Sequence, residues 1–325
     1  MILGLIDHDR GVISPLSFQM LTAARHLAEA LSTPLHAILL GRAARPLAEQ
    51  LGAYGVVAAH LADDERLDAW APEAWAQSVA ELLGSTGPHA LLAAGSEHSN
   101  ELMAHIAART GLALAANCIA VQPGEAFTVT RTRWGGSLFE ESRLHGVVKL
   151  LTIAPHAVVA EMVATASVPT LHAFMPALDE KHFRVRVARH LAIKRDSVAL
   201  ADARVVVGGG RGVGSSEGFR ALEELAGLLG GAVGCSRAVT SQGWRPHADQ
   251  VGQTGTRIAP DLYIACGISG AIQHMVGCKA ARYILAINTD PEAPMVAQAH
   301  YAIIGDLHKV VPALCAAIRA AREQG

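Results

Sequence analysis

The chain has 325 residues, 51% of them hydrophobic and 17% charged, with a formal net charge of -2. That length points to two domains with sizeable cores, and the near-balanced charge gives no electrostatic basis for binding nucleic acid or a membrane surface. The five cysteines, at 118, 235, 266, 278 and 315, form no Cys-x-x-Cys pair, which argues for a reducing compartment and against a disulfide framework or zinc site.

The first residues pass straight into strand-like sequence and then Asp7-His8-Asp9-Arg10. That is too short and too quickly polar for a secretory signal, and it lacks the Arg-rich character of a transit peptide. No apolar run approaches the roughly 20 residues of a membrane span. A cytoplasmic protein without membrane insertion is expected.

In chain order, residues 2–6 read as a buried strand. Ser14 and Pro15 fit an N-cap and first helical position, after which Leu16, Met20, Ala24, Leu27 and Leu31 share one helical face. Strands are expected at 35–40 and 90–94, and helices at 73–83 and 101–110, the last closed by Gly111. This alternation predicts a mostly parallel sheet with helices on both faces. Beyond about residue 115, strands at 127–131 and 147–153, separated by Gly135 and Gly136, suggest antiparallel additions. Alternating basic and apolar residues at 183–187 suggest one more strand. The basic cluster Lys194-Arg195-Asp196 reads as a solvated face. A domain boundary is placed there, giving domains 1–195 and 196–325.

The second domain restarts the alternation. Strands are expected at 205–207, 262–265, 284–287 and 301–304, with another ending near Arg237. Ser215 or Ser216 would cap a helix burying Phe219, Leu222, Leu225 and Leu229. A short helix would run over 269–276 and stop at Gly277. Asp306 would cap a last helix with Leu307, Val310, Val311, Leu314 and Ile318 inward.

Several strands therefore end in small and polar residues before a helix start, the arrangement by which α/β folds hold anionic nucleotides. The glycine-rich run at 208–214 does not meet the Gly-x-Gly-x-x-Gly spacing, and no acid follows it at 231–236, which disfavours a standard NAD site. A P-loop fails because no Gly-Lys-Ser/Thr follows. Each remaining feature also has a plain reading. The glycines could only turn the chain, Gln253 and Thr254 could form a surface turn, and Ser269 and Asp306 could be simple N-caps. His274 could be a satisfied core histidine and Arg237 a surface arginine. Their coincidence at strand ends of one domain favours a shared site. No Gly-x-Ser-x-Gly elbow, His-Glu-x-x-His motif or metal-ligand spacing accompanies them, which points to a cofactor carrying the chemistry.

The motifs Val-Val-Gly-Gly-Gly-Arg-Gly at 206–212, Gly-Cys-Ser-Arg-Ala at 234–238, Gln-Val-Gly-Gln-Thr-Gly at 250–255, Gly-Ile-Ser-Gly-Ala-Ile-Gln-His at 267–274 and Asn-Thr-Asp-Pro-Glu-Ala-Pro at 288–294 resemble the alpha subunit of electron-transferring flavoprotein. Asp306-Leu307-His308 extends the likeness, and the first half resembles the family more loosely through Asp7-His8-Asp9 and 91–95. Departures from the family pattern occur at Gly208, Gly218, Cys235 and Thr289.

The resemblance implies an α/β protein of two domains, each a mostly parallel sheet with flanking helices, the C-terminal one Rossmann-like and FAD-binding. The N-terminal domain would act as scaffold and contact a beta subunit in a heterodimer. Arg237 would lie over the flavin, Thr254 by its N5 region, and His274 with the helix from Ser269 by its N1/C2 edge. Positive charge there would favour an anionic semiquinone. Arg211, Ser236, Asn288 and Asp306 would hold the pyrophosphate, ribose and adenosine, with Val251, Gly252 and Gln253 around the ring. Gly212, Gln250, Gly267, Gly270, Ala271, Ile272, Gln273 and Leu307 complete the implied FAD contacts. The chain would be an electron carrier with no substrate chemistry of its own. It would take electrons from flavin dehydrogenases and pass them to a quinone oxidoreductase or another acceptor. The competing readings are an NAD or flavin enzyme with its own substrate, and a subunit that has lost its cofactor.

Overall fold

The computed structural model describes residues 1–134, 138–189 and 198–323. Gly135 and Gly136, the cluster at 194–196 and the expected boundary at 195 lie outside the described residues. The chain separates into two compact units, Met1–Leu191 and Ala192–Gly325.

In the first unit, β1 (Ile2–Leu5) leads through a small hairpin, β2 (His8–Asp9) and β3 (Val12–Ile13), into α1 (Pro15–Ala30). Then come β4 (Leu35–Leu40), the single turn α2 (Ala48–Leu51), β5 (Ala58–Ala62), α3 (Pro72–Thr86), β6 (Ala90–Ala94) and α4 (Glu97–Thr110). β7 (Leu114–Gln122), β8 (Phe127–Arg133), β9 (Leu138–Leu144), β10 (Lys149–Ile153) and β11 (Thr170–Phe174) follow. The sheet order is β11-β5-β4-β1-β6-β10-β7-β8-β9, antiparallel only at the β7-β8-β9 end.

Central strands are covered on both faces, so they read as continuous apolar runs. Ile2 and Leu39 join the core under α1, whereas Leu3 and Ile38 join the core under α3 and α4. Each such fully buried side chain contributes about 1.5–3 kcal/mol. α4 starts four residues earlier than expected because Ser96 caps it, its Oγ accepting from the Ser99 N–H at 3.0 Å. Gly111 closes α4 in the left-handed region at φ 70.

Two expectations change here. β10 is not an antiparallel addition: it runs parallel between β6 and β7, and all five of its residues are buried. Residues 183–187 form no strand. Phe183 ends a 3-10 turn and is buried against the α3 side of the core, while Arg184 pairs with Glu73, so the alternation reflects one apolar anchor.

The second unit contains β12 (Val205–Gly209), α5 (Phe219–Leu228), β13 (Ala232–Cys235), α6 (Arg237–Ser241), β14 (Leu262–Cys266) and α7 (Ile272–Cys278). β15 (Tyr283–Asn288), α8 (Pro294–Gln298), β16 (Tyr301–Ile304) and α9 (Leu307–Glu323) complete it. All pairings are parallel in the order β13-β12-β14-β15-β16. Val207 and Ile264 pack with α5 and α9 on one face; Val206 and Tyr263 pack with α7 and α8 on the other. Among the described residues, no helix is long and apolar enough to cross a membrane.

Helix starts here differ from expectation. α5 begins after Gly218, with Ser215 Oγ accepting from the Gly218 N–H at 3.3 Å in the preceding turn. α7 begins after Ala271, not at Ser269, because Gly270 has φ +83 and cannot belong to a right-handed helix. Gly277 lies inside α7, where a Cβ would sit 2.3 Å from Gly252 N, so its role is close packing and not termination. Asp306 does cap α9, accepting from the His308 N–H at 2.9 Å.

The first unit carries an acid sensitivity. His36 Nδ1 and His60 Nε2 are 3.1 Å apart, and the His60 ring stacks on His172. Burial, then the neighbouring imidazoles, pushes His60 from 6.5 down to about 4. The unfolded chain therefore takes up a proton at higher pH than the folded one. This contribution to stability is intact above pH 6.5 and is lost as the pH falls toward about 4. Chemical unfolding followed by far-UV dichroism should show that decline, and His60→Gln should flatten it; an unchanged slope would contradict the assignment.

Candidate functional site

The second unit opens a cleft of about 630 Å³ at the carboxyl ends of its strands. This volume suits a small-molecule site. It lies where β12 and β14 are neighbours but their following helices, α5 and α7, go to opposite faces. Such a switch point leaves a crevice that no connection covers.

The floor of the crevice is made by two loops in backbone contact. Gly210 N–H donates to Cys266 O at 2.9 Å and Gly212 N–H to Gly267 O at 3.2 Å. A Cβ on Gly210 would lie 2.1 Å from Gly267 O, so no larger residue fits. The glycine run thus allows loop-on-loop packing. It brings Arg211 and Gly212 to the wall, which Leu307 and the α9 cap Asp306 also line.

The loop after β13 supplies Ser236 and Arg237, and the next segment supplies Gln250 through Thr254. Gln250 is 2% exposed, and both ends of its amide are already used. Its Oε1 accepts from Thr240 Oγ1 at 2.7 Å, and its Nε2 donates to Thr254 Oγ1 at 3.0 Å. Gln250 therefore holds Thr254 in place. The backbone of Gln253 is tied to α7 through Gln273 O at 2.7 Å, with Val251 and Gly252 buried beneath it.

Beyond β14, Gly267, Ser269, Gly270 and Ala271 lead along the wall to Gln273 and His274. A Cβ on Gly270 would lie 2.3 Å from Met295 N, so this turn fits only against α8. His274 is 6% exposed; its Nε2 is 2.8 Å from Tyr263 Oη, and its Nδ1 is buried. Burial pushes the imidazole down to about 4, opposed by hydrogen bonding to the Val251 backbone. The His274 ring is therefore neutral near pH 7.

Two more expected residues are placed differently. Ile272 is 66% exposed and does not line the cleft, because the first turn of α7 directs it outward. Asn288 reaches the wall, but Nδ2 donates to Ile268 O at 3.0 Å and Oδ1 accepts from the Asp290 N–H at 3.1 Å. It fastens the β14 and β15 loops together. Sequence reading passed over Ala238, Ile268, Thr289, Asp290, Ala293 and Gly305, which also line the cleft. The signal for Thr289, Asp290 and Ala293 was the Asn288-to-Pro294 segment, which follows a strand end as the other site loops do.

The Arg211 and Arg237 guanidiniums make no ion pair or hydrogen bond among the described residues, although both reach the cleft. Two unpaired cations suit a ligand with a polyanionic part.

Residues 2–175 match the family described as Electron transfer flavoprotein domain, and residues 199–279 match Electron transfer flavoprotein FAD-binding domain. The chain is 35% identical over 321 residues to the electron transfer flavoprotein subunit alpha of Clostridium acetobutylicum, covering 96% of this chain and 94% of that one. It is also 35% identical over 318 residues to the Mycobacterium leprae electron transfer flavoprotein subunit alpha, covering 97% of each. Protein FixB of Bradyrhizobium diazoefficiens is 35% identical over 324 residues, covering 97% of this chain and 87% of that one.

Gln250→Ala removes the partner of two hydroxyls and should cost about 1–3 kcal/mol. Urea unfolding of the full chain measures it. A loss within 0.5 kcal/mol, the range of ordinary surface changes, would contradict the bracing role.

Proposed function

The chain belongs to the electron transfer flavoprotein family as an alpha subunit, and from that premise we propose that its second unit holds FAD in the strand-end cleft. The observation that carries this reading is the pair of unpaired guanidiniums, Arg211 and Arg237, flanking a crevice at the β12/β14 switch point. Arg211, beside the glycine loop and the Asp306 cap, takes the pyrophosphate and sugar portion together with Gly212 and Ser236. Arg237, Thr254 and His274 take the isoalloxazine portion, with Val251, Gly252 and Gln253 along its edge. Gln250 and Asn288 act by holding neighbouring loops.

Bound there, FAD supplies one-electron exchange, and the chain performs no substrate chemistry. The unpaired Arg237 charge favours added negative charge nearby. Electrons come from flavin dehydrogenases and leave to a quinone oxidoreductase or a similar acceptor. A beta subunit completes the working heterodimer. The first unit is scaffold and partner contact, a role supported by its exposed Trp134, Phe139 and Val147. The working complex is cytoplasmic.

Calorimetric titration of FAD into the FAD-stripped heterodimer tests the assignment. Arg211→Ala should weaken binding by roughly tenfold to a hundredfold, the loss of a charge-assisted contact. Arg237→Ala should make addition of the first electron less favourable by about 1–3 kcal/mol. Unchanged affinity and unchanged potential in the two variants would contradict the proposed orientation.

A further inference from the structure

Gln250 is 2% exposed and sits between two hydroxyls, Thr240 on α6 and Thr254 in a loop that lines the cleft. A primary amide has unlike ends: its oxygen only accepts hydrogen bonds and its NH2 group only donates them. Which end faces which hydroxyl therefore decides what each hydroxyl can still do.

Thr240 Oγ1 lies 2.7 Å from Gln250 Oε1 and 3.0 Å from the Arg237 carbonyl oxygen, and no donor to it occurs among the described residues. A hydroxyl between two acceptors acts as the donor, and the shorter contact takes the larger share of its one proton. The lengths agree with this direction. The 2.7 Å contact has the ordinary O–H···O spacing, and the 3.0 Å from Gln250 Nε2 to Thr254 Oγ1 has the ordinary N–H···O spacing. A reversed amide would mismatch both.

With the NH2 end on Thr254 Oγ1, the Thr254 proton cannot go back to Gln250. No acceptor for that proton occurs among the described residues, and Thr254 is exposed along the cleft. Thr240 is not one of the lining residues; it acts one step removed, from the helix that begins at Arg237.

We infer that Thr240 is a positioning residue: through the Gln250 amide it commits the Thr254 hydroxyl to donate its proton into the cleft. The ligand atom that best matches Thr254 is then a hydrogen-bond acceptor, such as a carbonyl oxygen or an unprotonated ring nitrogen. Without the Thr240 donor the amide is free to turn over, and Thr254 then spends its proton on Gln250. Assigning the acceptor to FAD rests on the function proposed above; the direction of the relay does not.

Neutron diffraction from crystals of the deuterated heterodimer locates the exchangeable deuterons directly. The wild type should show the Gln250 ND2 group toward Thr254 and the Thr240 O–D toward Gln250. Thr240→Val keeps the side-chain shape and removes the donor. It should show the amide in both orientations and weaken FAD binding to the stripped heterodimer by roughly threefold to tenfold, the loss of one neutral hydrogen bond. Thr240→Ser should restore the single orientation and the wild-type affinity. A wild-type Gln250 oxygen facing Thr254 overturns the inference, and so does a Thr240→Val complex that keeps both the wild-type orientation and the wild-type affinity. Failure of the heterodimer to bind FAD would defeat the functional proposal, while the amide orientation is still read from cofactor-free crystals, so the two failures are distinguishable.

Discussion

The cleft depends on one backbone contact, the loop leaving β12 lying directly on the loop leaving β14. Because Gly210 would place a Cβ 2.1 Å from Gly267 O, neither side chain nor water can separate the two loops there. Two N–H donations, from Gly210 and Gly212, hold them together. That contact fixes where the strands end and where the chain diverges toward α5 and α7. Arg211 reaches the wall only because its neighbours on both sides are glycines. The run therefore sets a polar wall by backbone packing, unlike a loop whose N–H groups cradle a phosphate directly.

Around this joint the polar groups divide into braces and open groups. Gln250 and Asn288 spend their side chains on neighbouring loops, and Asp306 spends its carboxylate on the α9 cap. Arg211 and Arg237 keep unused hydrogen-bonding capacity among the described residues. Rigid braces beneath open donors are what preorganised binding needs, since ordering has already been accomplished in folding. The electrostatic character of the site follows from the same division. Its positive charge comes from the exposed arginines, while the buried histidine adds none.

Much of the second unit was legible because its strands are short apolar runs bounded by glycine or polar residues. Val205–Gly209, Leu262–Cys266 and Tyr283–Asn288 announce themselves in this way. The first unit was harder. β5 (Ala58–Ala62) and β11 (Thr170–Phe174) carry alanine and histidine where β-branched residues would signal a strand, and their pairing with each other spans a long stretch of chain. β10 was misassigned because a strand that follows an antiparallel hairpin in sequence returns to the parallel core, a crossover that no local pattern encodes. In the site, residue type and loop position were readable, but the orientation of Ile272 and the amide bonds of Gln250 and Asn288 were not. Those depend on where α7 begins and on which loops meet, and both follow from tertiary packing.

The central claim is that this cleft, completed by a beta subunit, holds the flavin. The most direct measurement is the absorbance spectrum of the co-expressed and co-purified heterodimer, with the released cofactor quantified. The account predicts a yellow complex that releases FAD, with a marked drop in that release when Gly270→Val pushes the wall loop away from α8. A colourless, fully folded heterodimer, or FAD content untouched by that substitution in a folded complex, would contradict it.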